Sequence, residues 1–169
     1  MQDEAELSQA ASQLIKAPKV YYFTKFLEDT KLGKYEPLGI LCMEWVNGDT
    51  INSLLGTGIW KIESRLDICR EMVKMVQTIH NHGITHGDLY PSNWRLSYED
   101  ELYLIDFCGG EFVAPEKAKT DEIDLDTLKI TLTCLIYDTN NWDFASKMIL
   151  ERRSRFWRAK SVERLASLI

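Results

Sequence analysis

At 169 residues, with 45% hydrophobic and 27% charged residues, the chain is long enough to bury one core without disulfide or metal staples. A net charge of −6 argues against general nucleic-acid or anionic-membrane binding, and no apolar run approaches the ~20 residues of a transmembrane segment. The acidic, polar start from Met1 to Leu7 does not read as a signal peptide, and Cys42, Cys69, Cys108 and Cys134 lack any CxxC spacing, so they read as reduced core residues of a cytoplasmic chain.

In chain order, Asp3 to Lys16 is predicted as a helix that stops before Pro18, with Leu7, Ala10, Ala11 and Leu14 on one face. Lys19 to Leu27 is rich in aromatic and β-branched residues and suits a strand. Asp29 to Pro37, charged and carrying Gly33, reads as a turn. Leu38 to Val46 reads as a second strand, which makes an antiparallel hairpin, and Asn47-Gly48-Asp49 breaks it. Thr50 to Leu55 is a short helix closed by Gly56-Thr57-Gly58. Ile62 to His80 is the clearest helix: Ile62, Leu66, Cys69, Val73, Val76 and Ile79 form one apolar stripe, and Gly83 ends it. Trp94 to Leu96 and Leu102 to Ile105 are two short strands around a turn at Ser97 to Glu101. Ile123 to Tyr137 is an apolar helix.

A last helical region runs from Trp142 to the end and carries Arg152, Arg153, Arg155, Arg158 and Lys160. It reads as the solvated face of a terminal helix with Phe156 or Trp157 in the core; an anion-binding run is the alternative. Trp45, Trp60, Trp94, Trp142 and Trp157 are expected in the core or at an interface. No linker or repeat divides the chain, so one domain is expected.

The most specific signal is His86-Gly87-Asp88-Leu89-Tyr90-Pro91-Ser92-Asn93, followed by Ile105-Asp106-Phe107. Asn93 lies five residues past Asp88, and Asp106 eighteen. At ordinary residue usage this set arises by chance roughly once in a million starting points. One carboxylate to accept a hydroxyl proton, with an amide and a second carboxylate to hold Mg²⁺ against phosphates, is the layout of a phosphotransfer loop. Singly, Asp and Asn in such places read as turn residues. His80, His82 and His86 crowd one region without the further ligands a zinc site needs.

On these residues the chain resembles the protein-kinase-like phosphotransferases, from near Glu4 to about Tyr137 and over roughly the latter two-thirds of such a domain. The order of helix, strand pair, hinge Met43-Glu44-Trp45-Val46-Asn47-Gly48, long helix, loop and Asp106 agrees throughout. The resemblance implies an α+β, mostly helical fold: a kinase-like C-terminal lobe (47–169) joined to an N-lobe remnant and hinge (1–46). It implies ATP and Mg²⁺ as cofactors. Asp88 would be the base, Asn93 and Asp106 the metal ligands, and Glu44 and Val46 the backbone partners of adenine, with Met43 limiting pocket depth. His86 would pack on Phe107, and Asp124 would hold the loop backbone. Gly87 stands where regulated protein kinases carry Arg, and His-Gly-Asp is similar to the loops of small-molecule, lipopolysaccharide and atypical kinases. Ala114-Pro115-Glu116 copies a kinase tripeptide but lies too close to Asp106, and is read as coincidence.

Several positions depart from the pattern. No GxGxxG occurs, and no strand lysine is available for Glu4 or Glu6 to pair with; both glutamates equally suit a helix N-terminus. Tyr90 replaces the lysine of Ser/Thr kinases. Arg95 falls where an apolar residue floors the adenine pocket; there it either reaches a phosphate or carboxylate, or the register differs. Three functions remain open: a phosphotransferase acting on an unidentified hydroxyl-bearing substrate, a truncated pseudokinase that binds a protein partner over the missing N-lobe, and a fragment of a longer kinase.

Overall fold

The computed structural model describes residues 2–29, 35–151, 156 and 159–169. Helix α1 (Gln2–Ser12) buries Ala5, Leu7, Ser8 and Ala11 along one face. It ends before the expected Lys16, because Gln13 and Leu14 already close tighter three-residue turns onto Ala10 and Ala11 ahead of Pro18. The exit is tied down twice: Leu104 N–H donates to the Lys16 carbonyl at 3.0 Å, and the Lys16 ammonium pairs with Glu101.

Strands β1 (Val20–Asp29) and β2 (Tyr35–Met43) form the expected antiparallel hairpin, in continuous register from Tyr22–Cys42 to Asp29–Tyr35, with a one-residue shift before the Val20–Met43 pair. Much of the predicted turn is strand, and its centre, residues 30–34, lies outside the described residues. The predicted break at Asn47-Gly48-Asp49 is corrected: β3 (Gly48–Thr50) pairs with β5 (Trp94–Ser97), which pairs with β6 (Leu102–Leu104). Thr50 then caps α2 (Ile51–Leu54), its hydroxyl accepting from Ser53 N–H.

Helix α3 (Ile62–Asn81) buries its predicted stripe from Cys69 to Ile79 and leads to β4 (Ile84–Thr85). Strand β4 pairs with β7 (Glu111–Phe112), a ladder with no sequence signal. After α4 (Pro115–Ala118), helix α5 (Glu122–Tyr137) runs through the core, with Leu125, Leu128, Leu132, Cys134 and Leu135 all buried. The last helical region is two helices, α6 (Trp142–Leu150) and α7 (Val162–Ala166), because Ser161 is extended and caps a fresh start with its hydroxyl on Arg164 N–H. Phe156 is buried; Trp157 and the arginines at 152, 153, 155 and 158 lie outside the described residues.

The architecture is α+β and mostly helical, a kinase-like lobe with a remnant helix and hairpin. One expectation about the core needs correction: Cys108 is exposed, on the connection between β6 and β7, and Cys42 is half-buried near the end of β2. Trp94 is wholly buried in the core, whereas Trp45, on the hinge, is 76% exposed. No helix among the described residues is long and apolar enough to cross a membrane.

Candidate active site

The loop is built around the carboxylate of Asp124, at the start of α5. It accepts His86 N–H at 2.9 Å, Gly87 N–H at 2.7 Å and the His80 Nε2 proton at 2.8 Å. Burial alone would raise its pKa, but these three bonds hold it below the ordinary carboxylate value. The anticipated role of Asp124 toward the loop backbone matches this geometry. His80 was not anticipated as its partner.

Two further groups on α5 extend the cradle. Thr127 Oγ1 accepts Leu89 N–H at 3.2 Å, and Thr131 donates its hydroxyl to the Leu89 carbonyl at 2.6 Å. Asp124, Thr127 and Thr131 are spaced i, i+3, i+7, so they share one face of the helix. A polar stripe on an otherwise apolar helix is a signal that could have revealed them.

His86 packs on Phe107, with ring centroids 4.6 Å apart. Its Nε2 faces the Ile105 carbonyl at 3.0 Å, and Nδ1 accepts Asp88 N–H at 3.2 Å. The first contact needs a proton on Nε2 and the second a lone pair on Nδ1, so the ring is neutral. Burial lowers its pKa, in the same sense. Gly87 has φ +78°, and a Cβ there would lie 2.1 Å from the Gly109 carbonyl oxygen. Backbone geometry alone therefore demands glycine, whatever an arginine would have done.

The structure brings Asp88 and Asn93 into contact. Asn93 Nδ2 donates to the Asp88 carbonyl at 2.9 Å and to Asp88 Oδ2 at 2.8 Å. Both partners are acceptors, so the amide orientation is set and Asn93 Oδ1 is the atom left to meet a cation. Asp106 follows β6 in a left-handed conformation, φ +65°. Its hydrogen bond to the Cys108 thiol, then burial, then the charges of Asp106, Glu4 and Asp88 push that thiol up to about 11. Cys108 thus reports a negative field shared by Asp88, Asp106 and Glu4. Of the two candidate helix glutamates, Glu4 is the half-buried one that faces this field, while Glu6 is exposed.

Among the described residues no group of three or more His, Cys, Asp or Glu could hold a metal alone. One carboxylate and one amide oxygen, completed by phosphate oxygens and water, is nonetheless a donor set that Mg²⁺ accepts, and the field is of the right sign.

Met43 ends β2, and Glu44 and Val46 lie on the connection from β2 to β3. Glu44 N–H is taken by the Lys19 carbonyl at 2.8 Å, which leaves the Glu44 carbonyl as its group for a ligand. Arg95 donates to the Gly48 carbonyl and lies 5.0 Å from the Trp45 ring. Tyr90 stacks on Trp142 at 4.9 Å and 11°. His82 Nδ1 bonds the Thr78 carbonyl at 2.8 Å, so the three histidines have separate structural uses.

The fold and this loop define a protein-kinase-like chain. Residues 4–133 match the ABC1 atypical kinase-like domain, and the chain belongs to that family. It is 37% identical over 90 residues to the KEOPS complex subunit Bud32 of Pyrococcus abyssi, covering 53% of this chain and 39% of that one. Over 87 residues it is 30% identical to serine/threonine-protein kinase F of Synechocystis, covering 51% and 18%. Over 130 residues it is 30% identical to a probable bifunctional tRNA threonylcarbamoyladenosine biosynthesis protein of Methanococcus maripaludis strain C5, covering 75% and 23%. The chain spans less than two-fifths of the length of these curated relatives.

Proposed function

We propose that the chain is a phosphotransferase of the His-Gly-Asp type, transferring the terminal phosphoryl group of ATP to a hydroxyl acceptor. The contact between Asp88 and Asn93 carries this reading, since it holds a base and a metal-ligand amide in one fixed unit. Asp88 Oδ2 is engaged by Asn93, so Oδ1 is the oxygen that takes the acceptor proton. Asn93 Oδ1 and the Asp106 carboxylate would hold Mg²⁺. When bound, Mg²⁺ neutralises phosphate charge and aligns the leaving group. The Glu44 carbonyl and Val46 backbone would meet adenine, with Met43 behind them. Neutral His86 keeps the loop seated on Phe107 and leaves no extra positive charge near the base.

Asp88→Ala removes the base and one of the two acceptors of the Asn93 amide, the backbone carbonyl at 88 remaining, and general-base catalysis alone is worth about 10²–10⁴-fold. Mg²⁺-dependent ADP release with a hydroxyl acceptor is therefore expected to fall at least about 10²-fold, with an unchanged circular dichroism spectrum. Equal turnover by the two proteins defeats the assignment.

A second reading rests on a separate observation. Tyr21, Tyr22 and Ile40 on the hairpin and Trp45 on the hinge are each exposed, and the sequence holds no GxGxxG segment. Residues 1–46 then serve as an N-lobe remnant and 47–169 as the C-lobe of a truncated domain, whose nucleotide cover comes from a protein partner or from further chain. The printed name of the Pyrococcus relative, a complex subunit, supports the partner form. A pulldown or mixing experiment that raises Mg·ATP affinity would support it.

A further inference from the structure

Helix α5 carries one buried ammonium that phosphotransfer does not use. The side chain of Lys129 is 9% exposed, and helical spacing puts it on the face opposite Asp124, Thr127 and Thr131. It donates to Asp126 at 3.0 Å, but the Asp126 side chain is 70% exposed. A buried ammonium with three donors is poorly compensated by one hydrated carboxylate.

Two cavities, of about 430 and 320 Å³, flank this lysine, and Lys160 and Asp126 line both. The larger is of the size that small-molecule sites have. Ile130, Ile149 and Leu150 give it an apolar wall, while Lys129 and Lys160 give it a positive end. Charge and apolar surface stand side by side in this cavity, in a chain whose net charge is −6.

We propose that this cavity binds an alkyl phosphate. The phosphate head displaces Asp126 from Lys129 and is shared with Lys160; the alkyl chain lies along Ile130, Ile149 and Leu150. The site lies on the face of α5 opposite Asp124, Thr127 and Thr131, which hold the loop, so it is separate from the phosphotransfer loop.

The test uses the full chain carrying ¹³C-methyl isoleucine, titrated with decyl phosphate below its micelle concentration. Shifts are expected at Ile130 and Ile149, with calorimetric affinity at least tenfold weaker in Lys129→Met. Shifts located elsewhere, or none, overturn the proposal, as does equal affinity for decanol, which has no charge. Inorganic phosphate giving the same affinity removes the apolar half and overturns it too. Should Lys129→Met not fold, Lys160→Gln and Ile149→Glu take its place; each is expected to weaken binding at least threefold, and unchanged affinity in both rejects the site.

Discussion

Asp124 is the residue on which the loop depends, since three donors converge on one buried carboxylate. Asp124→Asn presents an N–H to donors and removes the charge. Breaking a buried charged contact of this kind costs about 3–5 kcal/mol, and urea unfolding at pH 7 is expected to read a loss of about 3 kcal/mol. Two pH windows follow. The folded pKa of Asp124 is lowered, so its contribution is complete above the ordinary carboxylate pKa and fades as pH falls through the depressed folded value. The folded pKa of His86 is also lowered, by burial. For a histidine this means that the unfolded chain takes up the proton first, so stability begins to fall as pH drops below about 6.5. Urea midpoints from pH 8 to pH 5 are therefore expected to decline below about 6.5 in the wild type and in Asp124→Asn, but not through this group in His86→Phe. Asp88, Asn93 and Asp106 were legible as a spaced set, and Asp124 through the resemblance. The partner role of His80 was not, because the pair is 44 residues apart and nothing local in a helix end announces it.

At the scale of elements, the long periodic segments were legible, and so were the short helix α2 and the short strand pair β5 and β6, but three other short strands were not. The stripe of α3 and the aromatic run of β1 carry their own pattern, whereas β3, β4 and β7 have two or three residues and exist through distant pairing. Gly48 meets Ser97, and Ile84 meets Phe112; neither pairing leaves a trace within its own segment. Helix α5 has a second job besides filling the core, and its two threonines differ in what they leave behind. Thr127→Val strips Leu89 N–H of its acceptor in a buried place, a loss of about 1–3 kcal/mol. Thr131→Val is milder, because the Leu89 carbonyl keeps the Trp94 indole N–H at 3.2 Å. Denaturant midpoints of the two variants are expected in that order, Thr127→Val lower. The reverse order would mean that the loop is anchored by its carbonyl side.

For the whole molecule, the question is whether a well-formed loop suffices to hold nucleotide. Asp88, Asn93 and Asp106 lie on the helical lobe, and the described chain sets a two-stranded hairpin and one helix against it. A phosphate chain bound there would keep much of its contact with water, where each ionic contact is worth far less than in an enclosed site. Micromolar affinity needs roughly 8 kcal/mol, and millimolar affinity about 4. Loss of a single preorganised stabiliser typically removes about 3–4 kcal/mol from a transition state, and here both the glycine-rich cover and its lysine are lacking from the sequence. The chain alone is therefore expected to bind Mg·ATP in the millimolar range, about 4 kcal/mol, by calorimetry. A micromolar affinity that disappears in Asp106→Ala would show that the hairpin and the exposed Trp45 close over the nucleotide unaided. A millimolar affinity that sharpens when a partner protein is added would place the missing wall on that partner, and with it the control of when Asp88 meets a phosphoryl group.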